Sequence, residues 1–275
     1  MAGWELPERY ETPGGTVRWA RFGEGPPVVL LHGTPFSSCV WRDVGRALAA
    51  HHEVYVWDML GYGRSDMRAG QDVSLRAQAE IFAALLEHWD LGEPSVVAHD
   101  FGGAVSLRAR LLHGAAYARL ALVDVVALAP WGSPFFRLVA GNAPVFERLP
   151  PNLHRALVRE YVGTASGPGL HPATLDALVE PWLGEEGQAA FYRQIAQADQ
   201  RYTDEIEPRL GELDLPVLVC WGTADSWLPL ERGKDLASRI PGARLTLLDG
   251  AGHLAQEDAP ARLTGALTEF LSAGR

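Results

Sequence analysis

The sequence predicts an α/β fold in which a mostly parallel sheet is flanked by helices. Short apolar runs, rich in β-branched residues, alternate along the chain with longer stretches of helical periodicity. The length of 275 residues and the hydrophobic fraction of 47% are enough to bury one large core. The same composition excludes a disordered tail, a collagen-like fibre and a small disulfide-stapled domain.

The predicted strands are continuous apolar runs, a pattern typical of strands buried on both faces of a parallel sheet. They lie at 28–31, 54–57, 95–98, 120–123, 216–219 and 244–248. The clearest predicted helix follows Ser74, a residue type that caps helix N-termini, and runs to about residue 89. Further helices are predicted at about 103–113, 230–239 and 259–272. This alternation indicates right-handed crossovers between parallel strands.

The pattern changes between residues 129 and 208, where strand-like runs stop and proline and tryptophan become frequent. We interpret 129–208 as a helical cap domain inserted into the chain. The core domain is then formed by residues 1–128 and 209–275.

Charge and cysteine content restrict the partners and the compartment. The chain has 24 Lys and Arg against 34 Asp and Glu, a formal net charge of −10, and no basic run. Nucleic acid and anionic membranes would be repelled, so a small-molecule substrate is favoured. Two distant cysteines, Cys39 and Cys220, indicate neither a disulfide framework nor a thiolate zinc site. Without an apolar leader or an 18-residue apolar run, we expect a cytoplasmic protein, monomeric or homodimeric.

The run VAHDFGG at 97–103 follows a predicted strand and opens a predicted helix. A reactive side chain on such a turn needs small residues two positions before and after it, here Ala98 and Gly102. The central position is Asp100, where a serine hydrolase has the serine of G-x-S-x-G. A carboxylate, with an ordinary pKa of about 3.9, is ionised at neutral pH without a base. Asp100 is therefore predicted to attack saturated carbon and form an alkyl ester.

The run GAGHLAQE at 250–257 places His253 after the last predicted strand, where open α/β sheets bind ligands. An imidazole, with an ordinary pKa of about 6.5, suits the activation of water that hydrolyses an ester. Two acids could orient it. Asp225 follows the strand at 216–219, and Asp124 lies at or near the end of the strand at 120–123. We favour Asp225 and keep Asp124 as the alternative.

Together these residues resemble the α/β-hydrolase fold and, within it, the aspartate-nucleophile branch of epoxide hydrolases, haloalkane dehalogenases and haloacetate dehalogenases. The resemblance covers nearly the whole chain, from HGTP at 32–35 through DMLGYGRS at 58–65 and Asp100 to the His253 loop. The chain order of nucleophile, acid and histidine also matches. It implies a hydrolase without cofactor, and no cluster in the sequence has metal-ligand spacing.

In that family the His-Gly-x-Pro turn supplies one oxyanion donor, which by position is the backbone N–H of Thr34. The second would be the N–H of Phe101, and both would stabilise charge on the Asp100 carbonyl oxygen during ester hydrolysis. Pro35 would fix the turn. The residues expected to bind substrate are His32, Pro35, Trp131, Tyr161 and Trp182. Trp89, Trp221 and Trp227 are assigned to the core or to the seam between the cap and the core.

The leaving group separates the branches. Related epoxide hydrolases protonate the opening epoxide with cap tyrosines, one of them in a Tyr-Arg pair that FYRQ at 191–194 resembles. Tyr192 is therefore the predicted proton donor, and Tyr161 is the available second tyrosine.

Haloalkane dehalogenases usually hold the departing halide with an indole directly after the nucleophile and an Asn in the turn. Here those positions are Phe101 and Thr34, so Trp131 or Trp182 would have to compensate. The haloacetate branch places an Arg after the nucleophile to hold the substrate carboxylate, whereas Arg108 lies two helical turns further on. An anionic substrate is therefore disfavoured.

The leading prediction is an epoxide hydrolase that opens small apolar epoxides through an Asp100 ester. Haloalkane dehalogenation by the same residues is the alternative. A third hypothesis is a non-catalytic small-molecule receptor. Ester substrates are disfavoured because attack by Asp100 would give an anhydride with no evident gain.

Overall fold

The computed structural model describes residues 4–273 and contains one eight-stranded sheet with the order β1-β2-β4-β3-β5-β6-β7-β8. The strands are β1 (Glu8–Thr12), β2 (Gly15–Phe22), β3 (Pro27–Leu31), β4 (Glu53–Asp58), β5 (Ser95–Asp100), β6 (Arg119–Val125), β7 (Val217–Gly222) and β8 (Arg244–Leu248). The β1–β2 and β2–β4 pairs are antiparallel, and the remaining pairs are parallel. The predicted α/β fold with a mostly parallel sheet is confirmed.

The six predicted strands correspond to β3–β8, but β1 and β2 were not predicted. β1 carries Glu8, Arg9 and Glu11 and is largely exposed, so it lacks the continuous apolar run of a strand buried on both faces. β2 is interrupted by Arg18 and Arg21 and pairs antiparallel on both sides. The two strands extend the sheet beyond its parallel part.

The prediction that every strand is buried on both faces is wrong for β8. Its residues Leu245 and Leu247 are 37% and 46% exposed, because β8 is the last strand of the sheet and pairs only with β7. The strands β3, β5 and β6, by contrast, are buried along almost their whole length. The core therefore lies around the central parallel strands.

All four predicted helices are present, together with further helices among the described residues. The helices within these residues are α1 (Arg42–Leu48), α2 (Leu75–His88), α3 (Phe101–His113), α4 (Pro134–Phe146), α5 (Pro151–Gly163), α6 (Pro172–Val179), α7 (Gly184–Ala196), α8 (Arg201–Asp204), α9 (Leu230–Arg239), α10 (Ala255–Asp258) and α11 (Pro260–Ser272). The predicted helices correspond to α2, α3, α9 and α11. The Ser74 side chain accepts a hydrogen bond from the Ala77 N–H and caps α2. α1 was not predicted, and α3 begins two residues earlier than expected.

Between β6 and β7 the chain forms only helices, α4–α8, and two short 3₁₀ segments, Glu180–Trp182 and Glu207–Glu212. This agrees with a helical insertion, and the bounds 129–208 for a separate cap domain remain a prediction. The predicted core domain includes residues 1–3 and 274–275, which lie outside the described residues. Among residues 4–273, no helix is long and apolar enough to cross a bilayer.

Candidate active site

Asp100 lies on a sharp turn between β5 and α3. It is the last residue of β5 and has φ 49° and ψ −119°. Residues other than glycine rarely adopt such a positive φ. Gly102 allows the turn, because a Cβ at this position would lie 2.6 Å from the carbonyl oxygen of His32. The turn therefore projects the Asp100 carboxylate from the carboxyl end of the central strands.

The two carboxylate oxygens of Asp100 have different partners. The backbone N–H of Thr34 donates to Oδ1 at 2.7 Å, and His253 Nε2 lies 3.3 Å from Oδ2. Gly33 makes this approach possible, because a Cβ there would lie 2.3 Å from the Cβ of Asp100. The N–H of Phe101 is the first of α3 and belongs to the helix N-terminal groups that have no intrahelical acceptor. Of the two predicted oxyanion donors, the Thr34 N–H therefore contacts the carboxylate directly.

The structure brings Asp225 to the imidazole of His253. His253 Nδ1 lies 2.9 Å from Asp225 Oδ2, and both side chains are fully buried. The N–H groups of Trp227 and Leu228 donate to the other oxygen of Asp225 at 2.8 and 2.9 Å. Burial lowers the pKa of His253, but the charges of Asp225 and Asp100 outweigh it and raise the pKa well above its ordinary value.

Asp124, the alternative acid, is also buried, but its hydrogen-bond partner is not His253. Its Oδ1 accepts the N–H of Gly222 at 2.7 Å, and its Oδ2 is buried with no hydrogen-bond partner among the described residues. Burial raises its pKa well above the ordinary value, and the charge of Asp225 raises it further. The geometry therefore pairs His253 with Asp225, while Asp124 is a buried carboxyl group that accepts the N–H of Gly222.

A cavity of about 30 Å³ lies over Asp100, which is room for about two water molecules. Its walls are aromatic and come from the core, from the cap and from the loop after β7. The lining residues are Thr34, Asp100, Phe101, Val126, Trp131, Gly132, Ser133, Phe136, Tyr161, Trp227 and Leu228. Of the side chains predicted to bind substrate, Trp131 and Tyr161 are in this wall.

His32, Pro35 and Trp182, also predicted to bind substrate, do not line the cavity and have structural contacts instead. His32 accepts the N–H of Met59 through Nε2 at 2.9 Å, and its Nδ1 lies 3.0 Å from the Gly33 carbonyl oxygen. Burial lowers the pKa of His32, so it stays neutral. Trp182 Nε1 donates to the carbonyl oxygen of Pro35 at 2.7 Å.

The predicted proton donor Tyr192 is also held away from Asp100. Its hydroxyl lies 2.8 Å from His154 Nδ1, and His154 Nε2 lies 2.8 Å from the carbonyl oxygen of Trp182. An Nε2–H that donates to this carbonyl makes Nδ1 the acceptor of the Tyr192 proton. Tyr192 is fully buried within the cap and is absent from the cavity wall. The tyrosine that faces the cavity is Tyr161.

Comparison with known proteins agrees with this architecture. The sequence profile of the alpha/beta hydrolase fold matches residues 26–260. The chain belongs to the alpha/beta hydrolase fold family.

Solved and curated members of the family differ in how closely they match this alpha/beta hydrolase. A crystal structure of an alpha/beta hydrolase fold protein from Burkholderia ambifaria is 48% identical, with a TM-score of 0.94 over 97% of this chain and 98% of that chain. A thermophilic esterase from Thermogutta terrifontis is 26% identical, with a TM-score of 0.77 over 96% and 98% of the two chains. Haloalkane dehalogenase 2 from Mycobacterium bovis is 27% identical and matches 94% of this chain and 93% of its own length.

Two residues of this alpha/beta hydrolase were missed as site residues. Trp227, assigned to the core or seam, stacks on His253 with centroids 4.9 Å apart and on Tyr161 at 4.5 Å. Its position two residues after Asp225 was the available signal. Gln194, on α7, accepts hydrogen bonds through Oε1 from the hydroxyls of Thr34 at 2.6 Å and Tyr62 at 3.0 Å. No local pattern marks Gln194, because its partners lie far away in the sequence.

Proposed function

We propose that this protein is a hydrolase that opens small, neutral epoxides through a covalent ester on Asp100. The observation that carries the proposal is the division of the Asp100 carboxylate between two partners. One oxygen accepts the N–H of Thr34, and the other lies 3.3 Å from His253 Nε2. A carboxylate held in this way supports attack on a substrate carbon followed by water attack on the resulting ester.

In the first step an oxygen of Asp100 forms a bond to an epoxide carbon, and the carbon–oxygen bond of the ring breaks. The electron pair leaves on the epoxide oxygen, which takes a proton from the hydroxyl of Tyr161. Burial raises the pKa of this hydroxyl, and the charge of Asp100 raises it further, so the group is protonated at neutral pH. Tyr161 lines the cavity over Asp100 and replaces Tyr192 as the proposed donor.

In the second step His253 takes a proton from water, which attacks the ester carbon of Asp100. The N–H groups of Thr34 and Phe101 stabilise the oxyanion, and collapse expels the diol oxygen, which receives the proton from His253. The proton left on the Asp100 carboxyl group then returns to the phenolate of Tyr161, which restores both groups to their starting states. Ester formation removes the Asp100 charge that raises the pKa of His253. The pKa of His253 therefore falls once the ester has formed, which favours the neutral imidazole at the stage at which it must accept a proton from water.

The hydrogen bonds of the nearby indoles favour an epoxide over a halide. A departing halide needs free N–H donors. The Nε1–H groups of Trp131, Trp182 and Trp227 already donate to Thr203 Oγ1, the Pro35 carbonyl oxygen and Thr164 Oγ1, at 2.8, 2.7 and 2.9 Å. Haloalkane dehalogenation remains the second candidate, supported by the 27% identical haloalkane dehalogenase from Mycobacterium bovis.

Substitution of His253 by Gln tests the proposal. The variant keeps Asp100 free to attack but loses the base, so the ester should accumulate and turnover should fall about 10²–10⁴-fold. Intact mass is measured after incubation with terminal epoxides, 1-haloalkanes and p-nitrophenyl esters. An adduct of the whole epoxide mass is expected, and the double variant His253→Gln/Asp100→Asn should give none.

The other outcomes are equally specific. An alkyl adduct with free halide would reassign the protein to haloalkane dehalogenation. Esterase activity that is lost in Asp100→Asn would make it an esterase. Absence of any adduct, with an inert wild-type protein, would reject Asp100 as a nucleophile.

A further inference from the structure

A second cavity, of about 440 Å³, adjoins the small cavity over Asp100. It lies at the cap, between the segment that opens α4, helix α5 and the loop after β7. Its lining residues are Ser133, Phe135, Leu157, Glu160, Tyr161, Thr164, Ser226 and Trp227. Ser133, Tyr161 and Trp227 line both cavities, so the two cavities adjoin at these three residues.

Two of the three shared residues, Tyr161 and Trp227, are aromatic. The ring of Tyr161 lies between Phe135, with centroids 4.9 Å apart, and Trp227, at 4.5 Å. Trp227 in turn stacks on His253. Of the residues at which the outer cavity meets the inner one, Trp227 is therefore in contact with the proposed base.

The volumes of the two cavities indicate that different parts of the substrate occupy them. Pockets that hold a small molecule usually measure about 300–1,000 Å³, and the inner cavity of about 30 Å³ is far below that range. It has room for the reacting atoms alone. The outer cavity, at about 440 Å³, lies within the range.

The surface of the outer cavity is suited to a neutral, apolar group. Three of the four hydroxyl groups in its wall, all except that of Tyr161, make hydrogen bonds to the protein. Ser133 Oγ accepts the N–H of Phe136, Thr164 Oγ1 donates to the carbonyl oxygen of Tyr161, and Ser226 Oγ donates to that of Thr164. The charged side chain in the wall is the acidic Glu160, which would repel a carboxylate.

We propose that the outer cavity binds the apolar tail of the substrate whose epoxide carbon lies at Asp100. This inference rests on the proposed function and narrows the substrate class to terminal epoxides that bear a neutral alkyl or aryl chain. Each methylene buried in the outer cavity should raise kcat/KM about fourfold, the factor expected from the apolar surface removed from water.

The test compares 1,2-epoxyoctane with 1,2-epoxypropane. In the wild-type protein we expect kcat/KM to be at least about tenfold higher for the longer epoxide. Leu157→Trp fills the outer cavity without touching the inner one, and should lower that ratio at least about tenfold. Leu153→Trp is the matched control, since Leu153 lies on the same helix, is 52% exposed and lines neither cavity, so the ratio should stay unchanged.

An exposed position supplies a second variant that does not depend on core packing. Glu160→Lys replaces the acidic charge of the outer cavity by a basic one. It should raise kcat/KM for 7,8-epoxyoctanoate relative to 1,2-epoxyoctane by about tenfold. An unchanged relative preference would contradict binding of the tail beside Glu160.

Binding of neutral amides separates this inference from the proposed function. Octanamide should bind at least about tenfold more tightly than propanamide by isothermal titration, and Leu157→Trp should abolish the difference. If this holds while no epoxide is turned over, the outer cavity stands and the epoxide chemistry falls. If epoxides are turned over with no dependence on chain length, the proposed function stands and the outer-cavity inference is overturned.

Discussion

At the residue scale, hydrogen bonding distinguishes the two buried acids near His253. Asp225 faces three N–H donors, the imidazole Nδ1 and the backbone groups of Trp227 and Leu228, which stabilise a negative charge. Asp124 accepts one hydrogen bond, from Gly222, and burial raises its pKa. We infer that Asp225, with its three N–H donors, is the acid that stabilises a protonated His253, whereas burial disfavours a charge on Asp124.

Neutral substitutions of the two acids should therefore have very different effects. Asp225→Asn should lower kcat by about 10³–10⁴, because the imidazole loses both its orientation and its counter-charge. Asp124→Asn keeps an oxygen for the Gly222 N–H and should lower kcat less than about tenfold. Steady-state kinetics on the epoxide that the protein turns over, with melting temperatures to verify folding, measure both. Comparable losses in the two variants would mean that Asp124 shares the role of the acid.

At the scale of elements, the turn between β5 and α3 depends on the absence of a side chain at Gly102. A Cβ there would meet backbone, the His32 carbonyl oxygen at 2.6 Å, as well as the Leu31 Cβ at 2.8 Å. Backbone of a central strand cannot move away without disturbing the sheet. The glycine thus fixes how closely α3 starts beneath β3.

Alanine at two helical glycines should shift stability in opposite directions. Gly102→Ala should destabilise the fold by about 1–3 kcal/mol through overpacking and reduce activity by displacing Asp100. Gly265→Ala, within α11, meets no heavy atom within 4 Å and should stabilise by up to about 1 kcal/mol. Urea unfolding followed by circular dichroism measures both. A Gly102→Ala protein with wild-type stability and activity would contradict this account of the turn.

Local sequence predicted the elements whose environment is uniform. The central strands are buried on both faces, and VAHDFGG at 97–103 contains the small residues that its turn requires. β1 and β8 were not described correctly, because their exposure depends on their places at the two edges of the sheet. β2 was not predicted because Arg18 and Arg21 interrupt its apolar run. Tyr161 and Tyr192 lie on α5 and α7, and the rotation of each helix decides which tyrosine lines the cavity over Asp100. That rotation is set by packing between distant segments, which no local pattern records.

At the scale of the whole molecule, the helical segment between β6 and β7 contacts the turn that carries the proposed oxyanion donor, Thr34. Gln194 accepts the hydroxyl of Thr34, and Trp182 donates to the carbonyl oxygen of Pro35. The backbone N–H of the same Thr34 donates to Asp100. A contact that spans 160 residues of sequence therefore positions a group at the reacting carboxylate.

Removal of this contact should lower kcat rather than raise KM. Gln194→Leu should reduce kcat about tenfold. The Thr34 N–H can still donate to Asp100, but the turn that carries it loses the hydrogen bond between the Thr34 hydroxyl and Gln194. Thr34→Val removes the other partner and should act similarly, and the double variant should lose little more, since both changes break one interaction. Gln188→Leu is the control, because Gln188 lies on the same helix but bonds to the carbonyl oxygens of Glu147 and Leu149. Additive losses, or a lower melting temperature with unchanged kcat, would reduce Gln194 to a purely structural role.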